Sequence, residues 1–347
     1  MGENSFLQPT GVPMRAISML LVLLPTAVVA QEKMWVGKTV ITKEYGVKLT
    51  QFSDNGKETY LPLTDSIAYR VDDEKGDLVK LITTKGDVGW IKKSEVLLPE
   101  QAIAHFTRQV INAPKDAGAY QKRAFVWELQ GDYESALKDA NETIRYAFND
   151  MASWNSRGLL LCAVREYDAA IKDFGVAIRL APNQGAGYCN RGFAWTQKKN
   201  YAKAIADLDK ALLLDPLLTH AYTNRGLARF LNKQYDEALN DFTLADRFDP
   251  KSIHTMYYRA RMLATCAEAK YRDGKQALKL AQAALKLDEH PDGDAYQTLA
   301  AAHAEVGDFA EAVRWQEKAL ADDYLRDDID AQVRLKLYQK KQAYRHN

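Results

Sequence analysis

The sequence is poor in cysteine and has almost no excess charge, and both absences limit what the protein can be. Only 3 of its 347 residues are cysteine, too few for a fold built on disulfides. The 47 lysines and arginines balance 46 aspartates and glutamates, for a formal net charge of +1. Nucleic-acid binding relies on excess basic side chains that neutralise phosphates, so the composition predicts no nucleic-acid partner.

Motifs that carry catalysis or hold a cofactor are also missing. The sequence contains no GxSxG, P-loop, GxGxxG, HExxH or CxxC pattern, each of which has a defined chemical role. His220 and His254 recur at the interval of the repeat described below, but two imidazoles alone do not complete a metal site. We therefore predict no cofactor, no metal and no enzymatic activity. An enzyme or enzyme accessory subunit with a site between Trp90 and His105 is a further alternative.

The longest apolar run lies near the N-terminus. Residues 16–30 are apolar or small and follow a basic residue. The run is shorter than the roughly 20 residues of a membrane helix but fits a secretory signal peptide. We predict that residues 1–30 are a signal peptide cleaved after Ala30, with Met14 a plausible true start. The protein is then exported to the periplasm or the extracellular space. The alternative, an uncleaved signal segment, is the one membrane attachment that the sequence suggests.

Residues 31–98 lack helical periodicity and alternate short β-prone runs with turns. The runs lie at 38–42, 46–49, 67–71, 78–83 and 89–92. Short, evenly spaced strands of this kind predict a small barrel or sandwich. The segment Gly-Trp-Ile-Lys-Lys-Ser-Glu-Val-Leu at 89–97 resembles the last strand and exit of bacterial SH3-like domains.

The resemblance to SH3-like domains implies a groove that holds peptides or cell-wall polymers on aromatic side chains. Five aromatic residues could supply it: Trp35, Tyr45, Tyr60, Tyr69 and Trp90. A domain of this size needs its large side chains inside. We therefore favour the alternative that Tyr69 and Trp90 belong to the core.

A repeat with one constant interval runs through most of the remaining chain. The arginines that mark the interval are Arg123, Arg157, Arg191, Arg225 and Arg259, and aromatic, glycine, tyrosine, alanine and proline positions keep the same spacing. This pattern is similar to the tetratricopeptide repeat (TPR). The resemblance implies stacked helix pairs, because no pair buries its apolar faces alone.

The predicted fold is mainly α: a TPR α-solenoid of six helix pairs plus a capping helix, preceded by a small all-β SH3-like barrel. The predicted parts are a β domain at 31–98, a linker helix at 99–112, six repeats at 113–324 and a C-terminal capping helix at 325–347, helical over 329–344. The fifth repeat, from Met256 to its counterpart Tyr296, is longer than the repeats before it. It therefore carries an insertion, either a longer first helix or a loop.

Each of the first four repeat arginines is followed sixteen residues later by an aspartate. The pairs are Arg123/Asp139, Arg157/Asp173, Arg191/Asp207 and Arg225/Asp241. Because the two positions fall on the first and second helices of one pair, we predict a ladder of ion pairs. Such a ladder fixes the register of the repeats more than it adds net stability.

The TPR resemblance implies that first-helix residues line a concave face that binds extended peptides or protein segments. By register, the candidate peptide-binding residues are Gln121, Asn155, Asn190, Asn224, Tyr257, Tyr258 and Arg261. Asn190 and Asn224 are the best candidates, because an amide offers both a donor and an acceptor to a peptide backbone. The Lys and Asn positions of the chaperone-tail clamp are not matched, so that ligand is disfavoured.

Two functions remain from the sequence. The first is an interaction scaffold that binds a protein or peptide ligand on the concave face. The alternative is a cell-wall or glycan-binding adaptor that acts through the SH3-like domain, with the array as a spacer. The sequence assigns no oligomeric state.

Overall fold

The computed structural model of the protein describes residues 35–44, 47–52, 58–63, 67–83 and 86–346. In these ranges an antiparallel sheet precedes fourteen α-helices. The predicted signal peptide and Tyr45 lie outside the described residues. No helix within the described ranges is long and apolar enough to cross a membrane.

Seven strands of the described residues form one sheet, in the order β3-β2-β6-β5-β4-β1-β7. Their bounds are Thr39–Thr42 (β1), Lys48–Phe52 (β2), Glu58–Pro62 (β3), Ala68–Lys75 (β4), Leu78–Ile82 (β5), Val88–Lys92 (β6) and Val96–Leu97 (β7). Every strand pairing is antiparallel. The sheet core contains Val40, Leu49, Val79 and Leu81, all fully buried.

The sequence missed two of these strands and gave wrong ends for two others, one of them β4, which continues to Lys75 and not to 71. β3 is mostly exposed, so it lacks the apolar alternation that marks a half-buried strand. β7 has only two residues and carries no pattern. The run predicted at 46–49 corresponds to β2, which begins at Lys48 and continues to Phe52.

The helices form six antiparallel pairs between a leading and a closing helix. The leading helix α1 spans Pro99–Asn112, and the first three pairs are α2 (Ala117–Leu129) with α3 (Tyr133–Tyr146), α4 (Met151–Ala163) with α5 (Tyr167–Leu180), and α6 (Gly185–Gln197) with α7 (Tyr201–Leu214). The last three are α8 (Thr219–Leu231) with α9 (Tyr235–Phe248), α10 (Ile253–Thr265) with α11 (Gly274–Leu287), and α12 (Gly293–Glu305) with α13 (Phe309–Ala319). The closing helix α14 spans Ile329–Gln339.

Helix caps and small residues explain why this sequence forms close pairs. Asp132 caps α3 by accepting a hydrogen bond from the backbone N–H of Ser135 at 3.0 Å, which satisfies a free donor of the first turn. At Gly158 an added Cβ would lie 2.5 Å from Cε1 of the buried Phe174 ring. The glycine thus lets α4 and α5 approach over an aromatic residue.

The predicted ion-pair ladder is confirmed. Nε and Nη2 of Arg157 donate to the two carboxylate oxygens of Asp173 at 2.7 and 2.8 Å. Bidentate pairs also join Arg123 to Asp139, Arg191 to Asp207, and Arg225 to Asp241. The remaining Nη1 of Arg157 donates to Asn141 Oδ1 in the preceding repeat at 2.8 Å. One guanidinium therefore ties three helices together.

The insertion in the fifth repeat is a loop and not a longer helix. α10 ends at Thr265, a short 3-10 helix covers Ala269–Tyr271, and α11 begins at Gly274. Asp273 caps α11 by accepting from the backbone N–H of Gln276 at 2.9 Å. The chain leaves α10 in a non-helical conformation at Cys266, so the last carbonyl groups of the helix take their hydrogen-bond partners from other parts of the chain.

Both ends of the array are covered by other parts of the chain. At the N-terminal end Ile41 of the sheet, Phe106 of α1 and Val126 of α2 share one buried cluster. At the C-terminal end the fully buried Tyr338 of α14 packs with Ala300 of α12. The first and last pairs are therefore shielded from water by α1 with the sheet and by α14.

The predicted C-terminal helix is too long. α14 ends at Gln339, five residues before the predicted end at 344. Lys341 has a left-handed φ of 57°, which turns the chain out of the helix. Residues 340–346, called the tail below, then run back to the end of α10, where the backbone of His346 pairs with that of Cys266. A tertiary contact thus overrides the amphipathic pattern.

Candidate functional site

The array encloses a central cavity of about 730 Å³ on its inner side. Its walls come mainly from first helices, α4, α6, α8, α10 and α12, and it is closed at one end by α14 and the tail. The curvature of the array brings the second repeat into contact with the sixth. Arg165 follows α4 and lies 3.9 Å from the Asp294 carboxylate of α12, with its Cζ 4.9 Å from the ring centre of Tyr324.

Three of the seven candidate residues line the central cavity. Tyr257, Tyr258 and Arg261 lie on α10 and face it, as do His220 and His254. The two tyrosines and the arginine combine apolar surface with hydrogen-bond donors, the combination that protein interfaces favour.

The four amide candidates are not part of the cavity wall. Asn190 Nδ2 donates to Asn155 Oδ1 of the preceding repeat at 2.8 Å. Asn224 Nδ2 lies 3.7 Å from Cys189 Sγ. These amides therefore link neighbouring first helices to each other, and a ligand that used them would have to replace those contacts. Gln121, in the first repeat, also lies away from the cavity.

Arg261 is the cavity residue with the most unusual electrostatic surroundings. Burial and the nearby Arg334 guanidinium lower the pKa of Arg261, and Asp294 partly compensates. Among the described residues no carboxylate lies within ion-pair distance of it. An arginine keeps its charge in proteins, so this cation is available to an anionic or carbonyl-bearing ligand.

Two other titratable side chains of α10 in the cavity wall are held in their neutral forms. Burial raises the pKa of the Tyr258 hydroxyl. Burial and the neighbouring His220 lower the pKa of His254. Near neutral pH the wall of α10 therefore offers neutral hydrogen-bonding rings around one fixed positive charge. No group of three or more possible metal ligands occurs within the described part of the chain.

Sequence reasoning missed the basic side chains at the turns of the helix pairs. Arg165 and Lys199 line the cavity and have left-handed φ angles of 62° and 58°. Gly131 takes the same conformation at the equivalent position of the first repeat. A non-glycine residue costs roughly 1–2 kcal/mol there. These turn positions recur at the interval of the repeat, so the sequence did mark them. The rule used to choose concave-face residues, however, selects positions on first helices and does not include the turns.

A second concave surface lies between the sheet and α1. It is an open groove of about 930 Å³ that includes Phe52, Tyr60, Trp90 and His105. Tyr60 is 60% exposed and Phe52 is 53% exposed. Tyr69, by contrast, is buried as predicted.

The placement of Trp90 in the core is wrong. Trp90 is half-buried and lines the groove, because neighbouring residues of a strand point to opposite faces and Ile91 occupies the core face. Trp35 packs against the edge of the core and is not part of the groove.

With its inner cavity and stacked pairs, the array is a helical-repeat solenoid of the kind that serves as a protein-interaction scaffold. Residues 186–216 and 293–322 each match the tetratricopeptide repeat family. The chain therefore contains tetratricopeptide repeats, as the constant spacing of its arginines predicts, and the mainly helical fold preceded by a sheet is confirmed. No curated protein matches the chain.

Similar solved structures support the same fold. A tetratricopeptide repeat protein from Parabacteroides merdae is 16% identical with a TM-score of 0.55, over 70% of this chain and 92% of that one. The Cut9–Hcn1 hetero-tetramer of the APC/C is 17% identical with a TM-score of 0.58, over 69% of this chain and 46% of that one. At these identities the likeness shows the fold alone.

Proposed function

We propose that the protein is an exported, non-enzymatic scaffold that binds an extended segment of a partner protein in the central cavity. The observation that carries the proposal is the α10 wall, where Tyr257, Tyr258 and Arg261 face one enclosed space. Aromatic residues and arginine dominate the energetics of known interfaces, because they bury area while donating hydrogen bonds. The tetratricopeptide fold agrees with a protein or peptide partner.

A displayed library of random dodecapeptides, panned on the full chain, tests the proposal. We expect enriched peptides to lose at least tenfold in affinity on Arg261→Gln, because this half-buried cation is their fixed anchor. Arg247→Gln on α9 is the matched control, since that side chain is exposed and lies outside the cavity. Equal affinity of the enriched peptides for both variants would contradict a role for the cavity.

Export is the second part of the proposal, and it rests on residues 1–30. An alkaline phosphatase that is active only outside the cytoplasm, fused after residue 30, should be active. The mature chain should begin at Gln31 by N-terminal sequencing. An inactive fusion would exclude export, whereas an active fusion with an intact N-terminus would indicate an uncleaved signal segment.

The groove beside the sheet supports a second candidate, a cell-wall or glycan-binding adaptor. The exposed rings of Phe52 and Tyr60 next to Trp90 resemble a stacking platform for sugars or extended peptides. The resemblance of the sequence at 89–97 to SH3-like domains agrees with such a role. Co-sedimentation of the full chain with insoluble peptidoglycan should fall on Trp90→Ala. It should not change on Phe148→Ala, an exposed aromatic outside the groove.

A further inference from the structure

The end of α10 takes part of its hydrogen bonding from the tail. The last carbonyl groups of a helix have no partner within the helix. The repeat-five insertion supplies one for Leu263 O, from the backbone N–H of Asp273 at 3.0 Å, and leaves those of Ala264 and Thr265 to the tail. Thr265 O accepts from the backbone N–H of His346 at 2.8 Å. Ala264 O accepts from Nη1 of Arg345 at 3.4 Å. The tail thus caps α10 as an extended segment.

Side chains of the tail fill matching positions around this helix end. Tyr344 lies under Arg334 with 4.6 Å from Cζ to the ring centre, Arg345 Nη1 lies 2.7 Å from Glu305 Oε2, and the His346 ring centre lies 5.4 Å from that of Phe230. Glu305 is mostly buried, with 13% of its side chain exposed. Backbone pairing together with side-chain subsites is the arrangement by which proteins recognise extended peptides.

We propose that the open end of α10 is a peptide-binding site of its own, and that the tail is its resident ligand. The site takes an extended segment with an aromatic residue, then arginine, then histidine. It differs from the α10 wall in that its anchors are the Thr265 carbonyl and the Glu305 carboxylate. Tyr344 and His346 of the tail also line the central cavity, so the two sites adjoin, but neither anchor is part of the cavity wall.

The electrostatics at His346 favour a docked, neutral imidazole. Burial lowers the pKa of His346 to about 4, and Arg261, Arg334 and Lys199 act in the same direction, while Asp330 opposes them. The ring is therefore uncharged near pH 7 and packs against its aromatic neighbour without a desolvation cost for charge.

A labelled peptide of residues 340–346 tests the site in the full chain. A short flexible connection gives the attached tail an effective concentration in the millimolar range. We therefore expect the peptide to bind the variant Arg345→Ala plus His346→Ala at least tenfold more tightly than the unmodified chain, where the attached tail competes. Adding Glu305→Gln to that variant should weaken the peptide about tenfold, because the Arg345 side chain of the peptide loses its carboxylate.

The matched control is a peptide with the same composition in scrambled order, which should not bind. Hydrogen exchange of α10 and α12 in each variant shows that the array remains folded. Two results would overturn the proposal: no binding of the peptide to the folded tail variant, or equal binding of the native and scrambled peptides. Neither result bears on the peptides selected for the central cavity, so the two proposals fail separately.

Discussion

Alanine substitution at two glycines of the second repeat should change stability in opposite directions. Gly158 and Gly175 both lie inside helices, α4 and α5. At Gly158 the added Cβ would meet Cε1 of the Phe174 ring at 2.5 Å. At Gly175 the nearest atoms are guanidinium nitrogens of Arg191 and Arg179, at 3.8 and 3.9 Å, which is ordinary contact distance.

The magnitudes follow from two opposing effects. Replacing glycine by alanine inside a helix gains about 1 kcal/mol of intrinsic propensity. Overpacking a well-filled core costs about 1–3 kcal/mol. Phe174 is fully buried and cannot move far, so the cost at Gly158 should lie near the upper end. We expect Gly158→Ala to lower the free energy of unfolding by about 1–2 kcal/mol and Gly175→Ala to raise it by about 0.5–1 kcal/mol.

Urea denaturation of the full chain, followed by circular dichroism, measures the global effect, and hydrogen exchange of α4 and α5 localises it. Local exchange matters because a repeat array need not unfold in one step. Stabilisation by alanine at both positions would contradict the expected clash, since it would mean that Phe174 moves aside at little cost. Destabilisation at both would show that α5 tolerates no added methyl group.

Three further predictions concern buried charge, pH and backbone strain. In urea denaturation, Asp241→Ala should lower the free energy of unfolding by about 3–5 kcal/mol, because two arginines lose a fully buried partner. The control Asp207→Ala frees only one guanidinium, at a slightly exposed site, and should cost less. An equal loss for both variants would contradict the argument. The tail should dock less well in acid. The His346 side chain has an ordinary pKa of about 6.5 when the tail is free and a pKa of about 4 when the tail is docked. Docking is therefore at full strength above pH 6.5 and weakens as the pH falls towards 4. At pH 5 the labelled peptide should bind about tenfold more weakly than at pH 7.5. This loss of affinity is smaller than the full pKa shift would give, because the ring is partly exposed to water. A peptide with His346→Asn should show no such loss. Lys199→Gly should raise the urea midpoint by the equivalent of about 1 kcal/mol, because glycine adopts its left-handed φ freely, and a lowered midpoint would show that the lysine side chain contributes more than the strain costs.

The repeats and their ion pairs could be predicted because the information is local and repeated. Arg157 and Asp173 lie on the two helices of one pair, joined by a short turn, so their contact follows from the geometry of a single helix pair. The second partner of that arginine, Asn141, was not predictable. The position equivalent to Asn141, in the repeat before Arg225, is occupied by Asp209. The residue type at this position therefore changes from repeat to repeat.

The central cavity was less accessible to sequence reasoning because it depends on the curvature of the whole array. Repeat register points to α10, whose side chains line the cavity, but it also points to Asn190 and Asn224, which bond to neighbouring helices. The contact between Arg165 and Asp294 joins repeats that are far apart in sequence. No periodic pattern specifies such a contact.

The tail escaped prediction for a similar reason. Residues 329–344 carry a helical pattern of apolar side chains, and nothing local indicates that α14 stops at Gln339. The reason is distant: the insertion after α10 leaves carbonyl groups that the tail satisfies. Trp90, in contrast, could have been placed correctly from the sequence, because its neighbour Ile91 takes the inward position of the strand.

The coverage of both array ends affects how copies of the chain can associate. A solenoid with a bare terminal repeat offers a surface on which the next molecule can stack, and head-to-tail stacking of this kind grows into open filaments. Here Phe106 with the sheet occupies one terminal surface, and Tyr338 with α14 occupies the other. Polymerisation along the solenoid axis would require one of these two caps to detach first.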